Sequence, residues 1–295
     1  MKTKVSIADL YDSMLKRGIT FNYHSKSEAI KIIEHTNYYY KVASFRKNFE
    51  KRDRLYINCD FSSLIDLATI DMHVRNYLLQ MSLSAEHFIK TEISRLITVN
   101  SNEDGYSIVA EYEQQYPRSF DRVVSKFENT RYQKEMLAKR QSDMPIWVLM
   151  EHMDYSELMD LVKLYYYKYG KVRSLEKAVT LFISARYIRN ACAHNSVFIL
   201  EWFNARHTVK NNASVTSMLN IVKINRSEAK FAKINDLIAL FSLLKAYASK
   251  GTIDHFYCSG KELLERWTKY NSYEEISDIK KMYEILEKLV DFLDK

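Results

Sequence analysis

The residues best equipped for chemistry lie in one stretch, Arg186-Tyr187-Ile188-Arg189-Asn190-Ala191-Cys192-Ala193-His194-Asn195. The apolar residues between the polar ones give it a helical reading. On a helix Arg186, Asn190 and His194 stand at i, i+4 and i+8 and share one stripe, with Arg189 at its edge. A guanidinium stays charged at any working pH and forks onto two phosphate oxygens. An imidazole titrates at roughly pH 6.5, so it can take or give a proton near neutrality. An amide can orient the imidazole or hold a phosphate. Cutting RNA without a metal needs this kit: a base for the 2′-hydroxyl, an acid for the leaving oxygen, and positive charge on the five-coordinate phosphorus. Cys192, between the motif residues, reads as a small packed side chain, because nothing nearby suggests an activated thiolate.

The spacing alone is weak. With 8 histidines in the chain, about one chance Arg-to-His match at this separation is expected. Arg17 and His24 supply one, across a turn-like segment that lacks the Arg-Asn start. Other residues have bland readings. Asp71 and Arg75, at i and i+4, read as a structural ion pair. Trp147, just after Pro145, reads as a core anchor. The run Tyr38-Tyr39-Tyr40 could stack on RNA bases, but in a chain with 22 tyrosines core packing is the expectation.

The elements that must position the motif are helices. In 295 residues there are only 5 glycines and 2 prolines, which disfavours all-β and Rossmann-type folds with their many tight turns. Ser6-x-x-Asp9 and Ser25-x-x-Glu28 resemble capping boxes, opening helices to about Arg17 and about His35, with Gly18 ending the first. Asp60 caps a segment whose apolar period runs from Leu64 to Leu96, as one very long helix or two in line. A connection with a short helix fills 100–118. Further helices are expected over 119–139, from Pro145, over 156–169, over 172–195, and over roughly 230–249 and 273–293. The chain reads as a basic N-terminal helical region packed on the core (1–60), a helical core (61–250) and a C-terminal helical segment (251–295), or as one domain, since no clear linker separates them.

The net charge is +7 and is uneven: residues 1–60 hold 12 Lys and Arg against 7 Asp and Glu, whereas residues 274–295 hold 4 against 7. A polyanion docking near the N-terminal region and a solvated helical surface with an excess of lysine account for this equally well. No apolar run approaches the ~18 residues of a membrane span, and the first residues carry no apolar leader segment. Three widely spaced cysteines (Cys59, Cys192, Cys258) argue against a disulfide framework and for the cytosol. No metal-ligand spacing is present, so neither a metal nor another cofactor is expected.

Four blocks stand in order along the chain. They are Asn37-Tyr38-Tyr39-Tyr40 with Phe45, Ile70-Asp71 to Arg75 with Leu78, Leu79 and Glu86, Pro145-Ile146-Trp147 with Glu151 and Tyr155-Ser156, and Ile188-Arg189-Asn190 to His194-Asn195. With them the chain resembles the Abi-like (AbiD/AbiF-type) abortive-infection proteins, a branch of the HEPN superfamily. The resemblance implies an all-α HEPN-type bundle with an N-terminal helical extension and C-terminal helices. It implies a role in bacterial defence against phage or in toxin–antitoxin control. It makes the Arg-Asn…His element a metal-independent RNA-cleaving site, which by position is Arg189, Asn190 and His194. Arg186, Tyr187 and Asn195 flank it and are expected on the RNA. The implied partners are RNA, as substrate or cognate small RNA, and a second copy of the chain. DNA and membrane are not expected. Binding a structured RNA through the same residues, without cutting it, is the alternative.

Overall fold

The structure is a computed structural model that describes residues 5–35, 39–132, 134–140, 143–210, 213–271 and 273–295. Side-chain caps set the first helices. Ser6 and Asp9 cap each other's backbone at α1 (Ile7–Leu15), and Ser25 with Glu28 does the same for α2 (Lys26–His35). Gly18 takes φ +83°, and its missing side chain lets the Tyr56 carbonyl approach. α3 (Tyr39–Ser44) leads through a 3₁₀ turn into a short hairpin, β1 (Lys51–Arg52) and β2 (Leu55–Tyr56). Asp53 and Arg54 turn it with positive φ.

The long apolar period forms one helix, α4 (Phe61–Val99), capped by Asp60. Its 39 residues make it about 58 Å long. Leu64, Leu67, Ile70, Val74, Leu78, Met81, Ala85, Ile89 and Ile93 are buried along one stripe. Then come α5 (Ser107–Gln115), α6 (Pro117–Asn129), α7 (Lys134–Arg140), α8 (Ile146–Leu149), α9 (Tyr155–Lys168) and α10 (Glu176–Ala193). The single helix expected over 119–139 is two. α6 stops at Asn129, whose amide turns back onto the Ser125 carbonyl, and Thr130 is extended.

α11 (Ala213–Val222) and α12 (Arg226–Ala229) precede α13 (Ala232–Tyr247), which is buried nearly all round at the centre of the bundle. α4, α10, α11 and α15 (Ser277–Asp294) pack around α13. Asp236 on α13 faces α10, and burial pushes its carboxyl up to about 7 against a hydrogen bond from Ser184. The folded protein therefore holds a proton, between about pH 4 and 7, that the unfolded chain has released. Stability falls as pH rises through that window. Asp236→Asn should flatten this slope and leave the protein roughly 1–3 kcal/mol more stable than the parent at pH 8. Urea midpoints at pH 5 and 8 read this, and parallel shifts in both proteins would contradict it.

The polar sequence after residue 250, with its two glycines, hides a further helix, α14 (Lys250–Thr268), which the sequence reading lacks. Gly260 is what allows it. A Cβ there would lie 2.7 Å from Val290 and 2.9 Å from the Tyr77 hydroxyl, so α14 seats against α4 and α15 (Ser277–Asp294) only without a side chain. Gly260→Ala should destabilise by about 1–3 kcal/mol, measured by urea unfolding, despite the better helix propensity of alanine. Buried Asp66 on α4 accepts from Arg266, Asn271 and Tyr273 and fastens the C-terminal helices to the long one. One hydrophobic cluster runs from Tyr11 to Leu293. The described residues form an all-α bundle whose only sheet is the small hairpin. None of their helices is long and apolar enough to cross a membrane.

Candidate functional site

The motif occupies the last two turns of α10 and its cap. The helix stops at Ala193 because Asn195 adopts the left-handed conformation, φ +54°. The Asn195 amide reaches the Cys192 carbonyl at 3.1 Å, and the Ser196 amide reaches Ala191 at 2.9 Å. This is the Schellman closure, with asparagine in the place that glycine most often takes. His194 is thus the C-cap residue rather than part of the helix. Its φ of −84° and ψ of 11° keep it close to the stripe of Arg186 and Asn190.

The turn after the motif is gripped from beneath by buried charge. Asp71 is fully buried on α4, and one of its carboxylate oxygens accepts from the backbone amides of Phe198 (2.6 Å) and Ile199 (2.9 Å). The other accepts from Arg75 Nε at 2.8 Å. Arg75, itself buried, donates its remaining arm to the side-chain oxygen of Asn195. Lys233 on α13 donates to the carbonyls of Phe198 and Leu200, both at 2.8 Å. Burial pushes its ammonium down to about 8, while Asp71 and Glu201 oppose the shift. Lys41 on α3 is held below the usual lysine range by burial, with Arg75 adding to the effect and Asp71 opposing it. The structural pair read from the spacing of Asp71 and Arg75 is therefore present, and it fixes where the motif helix ends. Lys41 and Lys233 carry no motif. A lysine inside an apolar helical run gives little signal in one sequence.

The motif side chains lie above this anchor. Arg186 donates to the Ser156 hydroxyl at 2.9 Å and lies over its neighbour Tyr187, 5.7 Å from the ring centroid. Arg189 donates to the side-chain oxygen of Asn190 at 3.0 Å. These three polar residues are half-buried, whereas Tyr187 and His194 are exposed. The His194 imidazole makes no hydrogen bond or ion pair among the described residues. The carboxamide oxygen of Asn195 is taken by Arg75, so it is engaged inward. Burial pushes the Cys192 thiol up to about 12, which leaves it protonated and inert at neutral pH.

His194 and Asn195 form part of the wall of a cleft of about 1060 Å³. The opposite walls are α1, through Asp9, the turn after it, through Arg17, and α3 with its 3₁₀ turn, through Tyr39, Tyr40, Arg46 and Lys47. Two expectations change here. Tyr40 is 77% exposed on the cleft rather than packed in the core, because only one face of the short helix α3 can turn inward; Tyr39 is the half-buried one. Asn37 and Tyr38 lie outside the described residues. Trp147 is 48% exposed rather than a core anchor. Its ring lies over Gly105, where any Cβ would clash at 2.4 Å, so it covers a turn instead of filling the interior. The chance match also separates: Arg17 lines the cleft, whereas His24 meets the edge of Phe61.

Parts of the sequence blocks lie along α10 and its cap, whereas Trp147 sits apart over Gly105. Tyr40 faces the cleft, and Phe45 is buried beneath it. Asp71 and Arg75 hold the turn. Tyr155 stacks on Phe182 of α10 at 4.5 Å, next to the Ser156 that receives Arg186. Among the described residues no group of three His, Cys, Asp or Glu side chains converges as a metal site.

Comparison with known proteins returns a family model described as Abi-like protein, which matches residues 31–199, more than half of the chain. No curated protein and no solved structure matches.

Proposed function

The chain belongs to the Abi-like protein family, a family of abortive-infection type, and on that premise we propose that it is a metal-independent endoribonuclease. In this reading it is an AbiD/AbiF-type member of the HEPN superfamily, serving bacterial defence against phage or a toxin–antitoxin pair. The observation that carries the reading is the end of α10, where Arg186, Arg189 and Asn190 stand half-buried in one stripe and lead to an exposed imidazole at a cleft.

The reaction uses the RNA's own 2′-oxygen. It attacks the adjacent phosphorus, the bond from phosphorus to the 5′-oxygen breaks, and the products carry a 2′,3′-cyclic phosphate and a 5′-hydroxyl. One proton leaves the 2′-oxygen and one reaches the 5′-oxygen, and His194 carries one of the two. α10 presents its carbonyl end here, the negative pole of about half a charge, which disfavours a phosphate. Charge on the phosphorane must therefore come from side chains. Arg189 supplies it, Arg186 adds contact to the strand, and Asn190 orients Arg189 through their hydrogen bond. Tyr187 is exposed and, with Arg186 over its ring, offers a remaining face to a base.

A single imidazole supports a further element. The cleft's carboxylates are occupied, Asp9 with Ser6 and Glu201 with Lys47. The second proton carrier is then the His194 of a second copy, two motifs sharing one site. Without that copy the same residues bind a structured RNA and do not turn it over, which is the second reading. Incubating the protein with a broad RNA panel in EDTA, at dilute and at dimer-forming concentrations, separates them. Cleavage supports the nuclease, tight binding of intact RNA supports the second reading, and neither result overturns both.

A further inference from the structure

The cleft beside His194 has the makings of more than a gap between helices. Arg17 and Arg46 have no ion-pair partner among the described residues. The Nε of Arg46 is buried without any hydrogen-bond partner, although Nη1 of the same group donates to the Ala43 carbonyl and its plane lies over Tyr56. A buried donor left unpaired is costly, and it marks a guanidinium that the fold itself does not satisfy. The carboxylates that could neutralise these cations are already engaged. Asp9 accepts from both the hydroxyl and the amide of Ser6, which hold its carboxyl below the usual range, and Glu201 pairs with Lys47 at 3.2 Å. Next to Arg17, the hairpin presents exposed Lys51 and Arg54, with Arg52 paired to Glu50 at 3.1 Å and Asp53 at the turn, and its Tyr56 amide is bonded to the Arg17 carbonyl at 2.8 Å. With Asp9 and Asp53 counted against them, these cations leave a modest excess of positive charge from the hairpin to the cleft beside His194. Tyr40 offers a ring that nothing in the fold uses.

We propose that this cleft is a binding groove for unpaired, single-stranded RNA, with a base stacked on Tyr40 and phosphates on Arg17 and Arg46, leading the strand to His194. The proposal rests on the nuclease reading for what happens at His194, and it adds the substrate class. A duplex keeps its bases stacked inside and would offer the cleft only its outer backbone. An unpaired strand can put a base against an aromatic ring and its phosphates on the flanking cations. The volume, about 1060 Å³, is at the upper end of the range that encloses drug-sized ligands, so the groove takes a short run of nucleotides rather than one.

The test is fluorescence anisotropy with the full-length His194→Ala protein, which keeps RNA intact. The probes are a labelled 12-nucleotide single strand and the same sequence as a duplex. The single strand should bind at least about 10-fold more tightly. Tyr40→Ala should weaken single-strand binding about 5- to 100-fold. Arg17→Ala should lower the slope of log affinity against log salt by about 1. Lys250→Ala, an exposed change on α14, should match the parent. Tyr40 and Arg17 are exposed, so their variants should melt with the parent. Equal affinity for the duplex, or Tyr40→Ala and Arg17→Ala proteins that bind as the parent does, overturns the groove even where the wild-type protein cuts RNA. A parent that binds no RNA overturns the groove and the nuclease reading together. Single-strand binding lost with Tyr40→Ala, alongside a wild-type protein that never cuts, upholds the groove and sinks only the nuclease.

Discussion

His194→Ala should lower RNA cleavage by about 10²–10⁴-fold while leaving the melting temperature within a degree or so of the parent. The two halves of this expectation have separate causes. The imidazole is exposed and makes no hydrogen bond or ion pair among the described residues, so the fold loses little when it goes. The reaction loses a proton carrier that no neighbouring group replaces, since Asp9 and Glu201 are engaged elsewhere. Arg189→Ala should cost about 10²–10³-fold through lost phosphorane stabilisation. Arg189→Lys should recover little of it, because an ammonium cannot fork onto two oxygens. Single-turnover cleavage beside a thermal melt reads both effects. A His194→Ala protein that cuts at the parent rate removes His194 from the chemistry.

The second large effect is structural and acts through the motif's foundation. Asp71→Ala should destabilise the protein by about 3–5 kcal/mol, because Arg75 becomes an unpaired buried cation. The amides of Phe198 and Ile199 lose their acceptor in the same step. On a total stability of about 5–15 kcal/mol this is a large fraction. Replacing Asp71 and Arg75 together by leucine should cost less than either alanine change alone, since neither member of the pair is then stranded, although the Phe198 and Ile199 amides still lack an acceptor and Lys233 loses the opposing charge. Urea midpoints for the three variants test this. An Asp71→Ala protein as stable as the parent would mean that the pair does not hold the turn. Where the variant is still folded at low temperature, its cleavage should fall as well, because Asn195 and the chain behind His194 lose their anchor.

Much of this was legible one element at a time. The caps at Ser6, Ser25 and Asp60 mark helix starts because a side-chain oxygen and a backbone amide two or three residues apart solve a local problem. The apolar period of α4 is equally local, as is the i, i+4 pairing of Asp71 and Arg75. The destination of that pair was not legible: Asp71 binds amides 127 and 128 residues away, and no local rule reaches that far. α14 escaped because its two glycines weaken a helical pattern, whereas one of them exists to let α4 and α15 come close. The exposure of Tyr40 and Trp147 escaped for a related reason. A large aromatic residue reads as core until the partners that would cover it are known, and here a cleft and a glycine turn take their place.

At the motif, the helical stripe was legible, and so was the asparagine able to end it. The cleft was not, since its walls come from residues 5–17, 39–47 and 194–201. The basic N-terminal region hinted at it only as an excess of charge.

The most direct measurement is to purify the protein with its nucleic acid left on, sequence what accompanies it and determine the chemistry of the 3′ ends, beside a His194→Ala preparation. The account predicts heterogeneous fragments ending in 2′,3′-cyclic phosphate from the parent and their absence from the variant. A single intact RNA on both proteins, or fragments with the same ends from both, would contradict it.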